Sequence, residues 1–518
     1  MLNKEVNYLK ATWIVLLFSL AIRIFLSGHF LLTPDETYYW QWSRYLDLGY
    51  QDHPPMIAWT IWLSTYLFGQ NELAVRLPTI IGITGTFFYM ALLAARMFSW
   101  HTAFHVVLLC QGILLFNGAA LIATPDGLFL PCWAGASFHA AQALKGERSG
   151  QWLATGFWFG IGLLSKYTML LFLPSLFLCI LCIKPYRLRL FRVAPWVGLI
   201  LGMCLFTPVL LWNSNNEWAT FRHVFYMGGI DSIGFFTIRY VGDFLAEQFA
   251  LLSPLVFCLI LFIWRPGISN RHPISADVQF LIWMSLPTFL VFLLISLHSR
   301  VYGNWPAAGY LTAIVLIASL YSSTRSNFKE PPKRIWKLTV FTAYLITLPI
   351  LVQLIYPILP VPVKYDRTAN ETIGWDDLGR SVGEIITSMN DSENPFIFGI
   401  RYQNASELAF YVPSQPRTVS INQWSRPNIY DYWFDDSILV DRDGVGVLDV
   451  KNDIKFLKQV FARVDLVSEL HIYRISPWRG RELVKTFYIV KAYGFKGGQR
   501  WKPRDVNDVR ATKRQTSG

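Results

Sequence analysis

The chain has 518 residues, 53% of them hydrophobic and only 15% charged, with a mean hydropathy of +0.34. Soluble chains of this length carry about 25% charged residues, so a wholly soluble protein is excluded. The net charge of +12 does not mark a nucleic-acid binder, because the Lys and Arg residues cluster in short loops between apolar runs rather than on one polar surface.

About eleven apolar runs are long enough to cross a hydrocarbon core. In chain order they cover residues 11–31, 73–97, 101–118, 127–144, 151–165, 167–183, 193–212, 238–263, 278–297, 306–322 and 338–358. The fifth and sixth are continuous and are divided at Ser165-Lys166, since together they exceed one span. The first run is too long for a cleaved signal, and no small-residue cleavage site follows it before Thr33. With Lys4 and Lys10 on the cytoplasmic side, the inner loops hold Lys145, Arg148, Lys184, Arg187, Arg189, Arg192, Arg265, Arg271, Arg325, Lys329, Lys333, Arg334 and Lys337. The outer loops hold only Arg44, Lys166, Arg222 and Arg300. This is the positive-inside pattern.

The first outer loop, residues 32–72, is rich in aromatic residues and long enough for two amphipathic helices along the membrane surface. Thr33, Pro34 and Glu36 spell a helix start with a capping box. That gives Glu36 a structural task and makes Asp35 the carboxylate that faces a substrate, or else one that only complements the helix dipole. Asp52-His53-Pro54-Pro55 forms a stiff polar corner further along. A second Thr-Pro-Asp, at Thr124-Pro125-Asp126, falls on the same face by the parity of spans. Lys166 lies between two apolar runs at an outer end, where an ionisable group is either functional or a snorkelling anchor. Arg76 and the cluster His298, Arg300, Tyr302 and Asn304 are similar cases. Fixed cations beside carboxylates at an interface suit a phosphate headgroup.

Residues 359–518 read as a separate domain. Pro395–Gly399, Ser437–Val440, Val445–Val450 and Phe487–Val490 look like short strands, with helical stretches at 376–390 and 453–463, so a small α/β domain is expected, ending in a basic tail after Lys496. The six cysteines all lie in or beside apolar runs. Cys179 and Cys182 have C-x-x-C spacing inside an apolar helix, and no His or second pair accompanies them. No set of His, Cys and carboxylates has metal-ligand spacing, so no obligatory metal is expected.

The segments TPDETYYW, GYQDHPPMIAW, NELAVRLPTIIG, ATPDGLFLPCW, GLLSKYTMLL, PVLLWNSNNEW and HSRVYGNWPAAGYL resemble the bacterial branch of the GT-C superfamily. That branch holds the protein O-mannosyltransferase-like enzymes and the lipid A aminoarabinose transferases. The resemblance covers roughly residues 10–320 and departs from the aminoarabinose transferases at GNWPAAGY and in the number of spans. It implies an all-α polytopic GT-C domain over residues 1–358 and a periplasmic α/β domain over 359–518, in a bacterial inner membrane. It also implies a polyprenyl-phosphate sugar donor and an acceptor that is lipid A, lipopolysaccharide or another envelope glycan or protein. Inversion at the anomeric carbon is expected. By motif, Asp35 and Asp126 are the key carboxylates with Glu36 in support. Lys166, Arg76 and Arg300 hold the donor phosphate, and Asp52, His53, His298 and Asn304 line the substrate loops. The competing reading from the residues alone is a transporter or lipid flippase that uses the same charges for coupling; the absence of an inverted repeat of interrupted helices weighs against it.

Overall fold

Each apolar window named above is helical over most of its length in the computed structural model, which describes residues 2–146, 148–227, 237–268, 274–322, 333–389, 395–421, 427–433 and 436–497. Arg271, Arg325, Lys329, the end of the expected helix at Asn390 and nearly all of the basic tail lie outside the described residues. The first eight helices are α1 (Leu2–Ser27), α2 (Pro34–Arg44), α3 (Met56–Phe68), α4 (Glu72–Met97), α5 (Trp100–Gln111), α6 (Leu114–Leu121), α7 (Pro125–Lys145) and α8 (Ser149–Ser165). Among the described residues four helices are long and apolar enough to cross a membrane, and up to eight spans result if each sharply bent pair counts as one. The other windows hold helices short of that standard. The chain is a multi-pass membrane protein.

Contacts divide the chain into two compact units, one of residues Met1–Ser27 and Asp47–Ile350, the other of Gly28–Leu46 and Leu351–Gly518. This is not the division expected at 358/359. The second unit takes in Gly28–Leu46 because the aromatic surface of α2 packs on C-terminal residues such as Tyr402 and Phe410.

In the first unit, close helix crossings rest on glycine. A Cβ at Gly156 of α8 would overlap the Gly198 backbone in the helix Val193–Leu205. Gly160 and Gly202 repeat the contact one turn on, so both helices present a small-xxx-small stripe. In the same way a Cβ at Gly82 of α4 would overlap the carbonyl of Gly127, which brings the start of α7 hard against α4. The expected break at Ser165-Lys166 is present: α8 ends at Ser165, and Lys166 is extended at φ −157° and ψ 136°. The window 238–263, expected as one span, is instead two helices, Ile238–Leu252 and Pro254–Arg265, bent by 111°. Ser253 between them has a positive φ of 75°, and Pro254 lacks the N–H and the room to continue a helix.

The second unit holds a five-stranded sheet of β1 (Phe396–Gly399), β2 (Thr418–Ser420), β3 (Gly444–Leu448), β4 (Phe461–Ser476) and β5 (Gly480–Phe495), in the order β2-β1-β3-β5-β4. β1 runs parallel to β2 and β3, with Ile397 opposite Val445, and β3, β5 and β4 are antiparallel. Alternation sorts the strand residues onto two faces: Phe396, Phe398, Leu448 and Val490 pack in one core, Ile397, Val445, Val447 and Ile489 in another with Trp375 and Leu408. Two segments differ from what the sequence pattern predicts. Ser437–Val440 is not a strand; a 3-10 turn covers Asp436–Leu439. The helix expected over 453–463 covers Ile454–Val460 and gives way to β4 at Phe461, where the period changes from helical to alternating.

Candidate active site

α7 starts at the second Thr-Pro-Asp. Thr124 is extended, Pro125 occupies the first turn, and Asp126 follows with 5% of its surface exposed. The break after α8 aims Lys166 at it. Lys166 Nζ lies 2.7 Å from Asp126 Oδ1, and both side chains are nearly enclosed. The other carboxylate oxygen accepts a hydrogen bond from Asn304 Nδ2 at 2.8 Å. Three residues far apart in sequence, each singled out from motifs, therefore form one group, with Asp126 and Lys166 buried and Asn304 partly so. The lysine neutralises the carboxylate, and the amide orients it. A buried pair of this kind is tolerated only when its charges compensate one another and its lone pairs are filled.

The Asp52-His53-Pro54-Pro55 corner lies beside this group. Burial and then the neighbouring Lys166 ammonium lower the His53 imidazole to about 4, against attraction from Asp52 and Asp126. His53 is thus neutral at pH 7. Asp52 Oδ1 faces His223 Nε2 at 3.4 Å. The corner is held from a segment that sequence reasoning passed over for function. Trp212 Nε1 donates to Asp47 Oδ2 at 2.8 Å, and Thr220 Oγ1 donates to the Tyr50 carbonyl at 2.8 Å. Trp212 stands in one of the resembling motifs, PVLLWNSNNEW, whereas nothing in the sequence around His223 signals its partner.

The remaining expected residues are distributed differently. Arg76 is fully buried, and its Nη1 donates at 2.7 Å to the carbonyl of Ser27, the last residue of α1. That contact fills a carbonyl at a helix C-terminus, where a cation is favoured. Arg300 is largely exposed, 3.9 Å from Glu247 and over the ring of Tyr302. His298 is partly buried. Asp35 and Glu36 belong to the second compact unit. Glu36 is fully buried, and its Oε2 accepts from the Thr33 backbone N–H at 2.8 Å, the carboxylate half of the expected capping box. Asp35, one residue earlier, is exposed. Among the described residues no group of three or more His, Cys, Asp or Glu side chains is arranged to hold a metal ion.

The structure of ArnT from Cupriavidus metallidurans bound to undecaprenyl phosphate superposes with a TM-score of 0.63, covering 94% of this chain and 97% of that one at 14% identity. The fold is that of ArnT. The apo form of the same protein matches this chain almost as well, with a TM-score of 0.62. Residues 52–212, which include Asp52, His53, Asp126 and Lys166, match the family model described as dolichyl-phosphate-mannose-protein mannosyltransferase. The lipid A galacturonosyltransferase RgtD of Rhizobium johnstonii is 28% identical over 294 residues, 54% of this chain. The undecaprenyl phosphate-alpha-4-amino-4-deoxy-L-arabinose arabinosyl transferase of Pectobacterium atrosepticum is 24% identical over 242 residues, 43% of this chain. The matches span 59% and 43% of those relatives' own lengths.

Proposed function

We propose that the chain is a glycosyltransferase that moves a sugar from a polyprenyl-phosphate donor to lipid A or a related envelope glycolipid. On this reading it works on the periplasmic face of a bacterial inner membrane, with the C-terminal unit on that face. The observation that carries the reading is the Lys166–Asp126 pair with Asn304 on its second oxygen, in a chain whose relatives are named as undecaprenyl-phosphate-dependent or lipid A-directed transferases. Those relatives leave the transporter or flippase reading without support.

In the proposed reaction an acceptor oxygen attacks the anomeric carbon, the bond from that carbon to the donor phosphate oxygen breaks, and polyprenyl phosphate departs with the electron pair. The sugar passes through an oxocarbenium-like state, which a nearby carboxylate stabilises. Asp126 is assigned that part. Negative charge grows on the departing phosphate, and a fixed ammonium stabilises it more in the transition state than in the bound donor. Lys166 is assigned that part, exchanging some of its contact with Asp126 for the phosphate. An acceptor hydroxyl would give its proton to Asp35 as general base, whereas an acceptor phosphate is already nucleophilic and needs only positioning.

Purified protein supplied with radiolabelled polyprenyl-phosphate sugars and lipid A tests this directly. Label should move into lipid A and disappear in Asp126→Asn. If no polyprenyl-phosphate sugar supports transfer, and the mass spectrum of lipid A is the same in cells with and without the protein, the reading is wrong.

A further inference from the structure

The second compact unit joins a short piece of the first outer loop to the C-terminal sheet. α2 has only eleven residues, and an isolated helix below about 12–15 residues is marginal in water. Yet eight consecutive positions of it, Glu36 to Ser43, are buried. A helix buried on every side owes its shape and place to what surrounds it.

Those surroundings come from residues far along the chain. The Tyr38 ring packs 4.3 Å from that of Tyr402, and its hydroxyl accepts from the Ile429 N–H at 3.0 Å. Trp40 meets Phe410 edge-on at 4.9 Å. The Leu32 N–H donates to Tyr411 Oη at 2.7 Å. At the centre, Gln41 Nε2 donates to Thr418 Oγ1 at 3.2 Å and to Tyr430 Oη at 3.1 Å. Gln41, Thr418 and Tyr430 are all essentially inaccessible to solvent. Ser406 Oγ and Tyr430 Oη are paired at 3.0 Å, and Thr418 donates to the Ala405 carbonyl. Apolar packing alone would let a helix slide or turn. A satisfied polar network in a dry interior admits one register, because any other leaves its groups unpaired.

We propose that the C-terminal sheet domain is a positioning device for α2, with Gln41 and Tyr430 as its positioning residues, so that turnover depends on a buried amide–phenol contact. As far as it concerns turnover, the proposal rests on the role given above to Asp35. Asp35 and Gln41 share one rigid helix, about 9 Å apart along its axis. A small rotation at Gln41 therefore displaces the carboxylate, and a misplacement of about 1 Å can cost on the order of a hundred-fold in rate.

The test uses the full-length chain with its six cysteines replaced and Ser43→Cys as reporter. Ser43 is buried on α2, so its thiol should resist maleimide. Tyr430→Phe keeps the ring and removes one hydroxyl. It should raise labelling at position 43, lower kcat about ten-fold or more and leave KM for the donor within about two-fold. Gln41→Glu, which keeps the shape but cannot donate, should act in the same direction. Gln41→Asn, shorter but still a donor, should lose less than Gln41→Leu. Should labelling rise while kcat stays at the parent value, the placement of α2 does not govern turnover and the proposal falls. It falls equally if kcat drops with the thiol still protected. An inactive parent would instead sink the transferase reading, and labelling alone would then decide whether the sheet domain holds α2.

Discussion

Lys166 and Asp126 illustrate how a structural and a chemical role become entangled at one residue. Removing only the lysine leaves a carboxylate buried with one amide partner, and breaking a buried pair in this way costs about 3–5 kcal/mol. Lys166→Met should therefore lose both thermal stability and turnover. The double variant Lys166→Met with Asp126→Asn removes both charges, and it should recover most of the stability and none of the activity. Thermal unfolding in detergent, run beside the transfer assay, separates the two effects. A Lys166→Met protein as stable as the parent and within a few-fold of its kcat would leave the pair without a part in the reaction. At this scale the sequence was informative where a residue stood out against its surroundings. Lys166 is an ion between apolar runs, and Asp126 repeats the Thr-Pro-Asp of the first loop, so both could be named in advance. The Asn304 contact could not be, since an amide in a polar loop has many possible partners. Arg76 looked like its neighbours in type and position, and only its enclosure against Ser27 distinguishes it.

Among elements, the long β4–β5 hairpin carries a second buried ionic group. Arg474 is 4% exposed. It pairs with Asp366, with Glu482 at 2.9 Å and with the Val361 carbonyl at 2.6 Å, while Gln353 also donates to Asp366. The hairpin is thereby tied to the segment that leads out of the helix Lys333–Gln353. Burial alone would raise the Asp366 carboxyl, but hydrogen bonds from Thr368, Gln353, the Ala369 N–H and Arg474 outweigh it and hold the group below its usual range. A carboxyl held low in the fold contributes stability that is present above its unfolded value of about 3.9 and is lost as pH falls through the folded one. Limited proteolysis of the whole protein across pH 2–6 should show the hairpin becoming cleavable in acid. In Asp366→Asn the protection should be weaker at pH 6 and should vary less with pH over the acid range. Equal acid sensitivity in the two proteins would rule this contact out. The hairpin itself was largely missed from sequence, for a physical reason. Helix Ile454–Val460 runs straight into β4 at Phe461, and a change of period without an intervening Gly or Pro gives no boundary to read.

For the molecule as a whole, the apolar windows were readable because lipid imposes one requirement on every spanning segment, that its backbone satisfy itself. Bends were less so, since Ser253 and Pro254 turn the chain through 111° within an otherwise apolar run. The proposed orientation predicts that Ser414→Cys, at an exposed position of the C-terminal unit, reacts in intact cells with a maleimide that cannot cross the inner membrane. Lys145→Cys and Lys184→Cys should react only after permeabilisation. The reverse pattern would invert the topology and place the buried Lys166–Asp126 group on the cytoplasmic side. Least legible of all was the partnership of α2 with the sheet, because Gln41 and Thr418 are 377 positions apart and neither carries a motif. That separation also imposes a timetable on biogenesis. At synthesis rates of about 5–20 residues per second, the ribosome reaches Thr418 roughly 20–75 s after Gln41. For most of that interval Tyr38 and Trp40 lack the Tyr402 and Phe410 rings they pack on, so the nascent first loop waits as an aromatic, sticky segment. A chain terminated before Tyr402 would remain in that state permanently, which makes residues translated late the guardians of residues translated long before them.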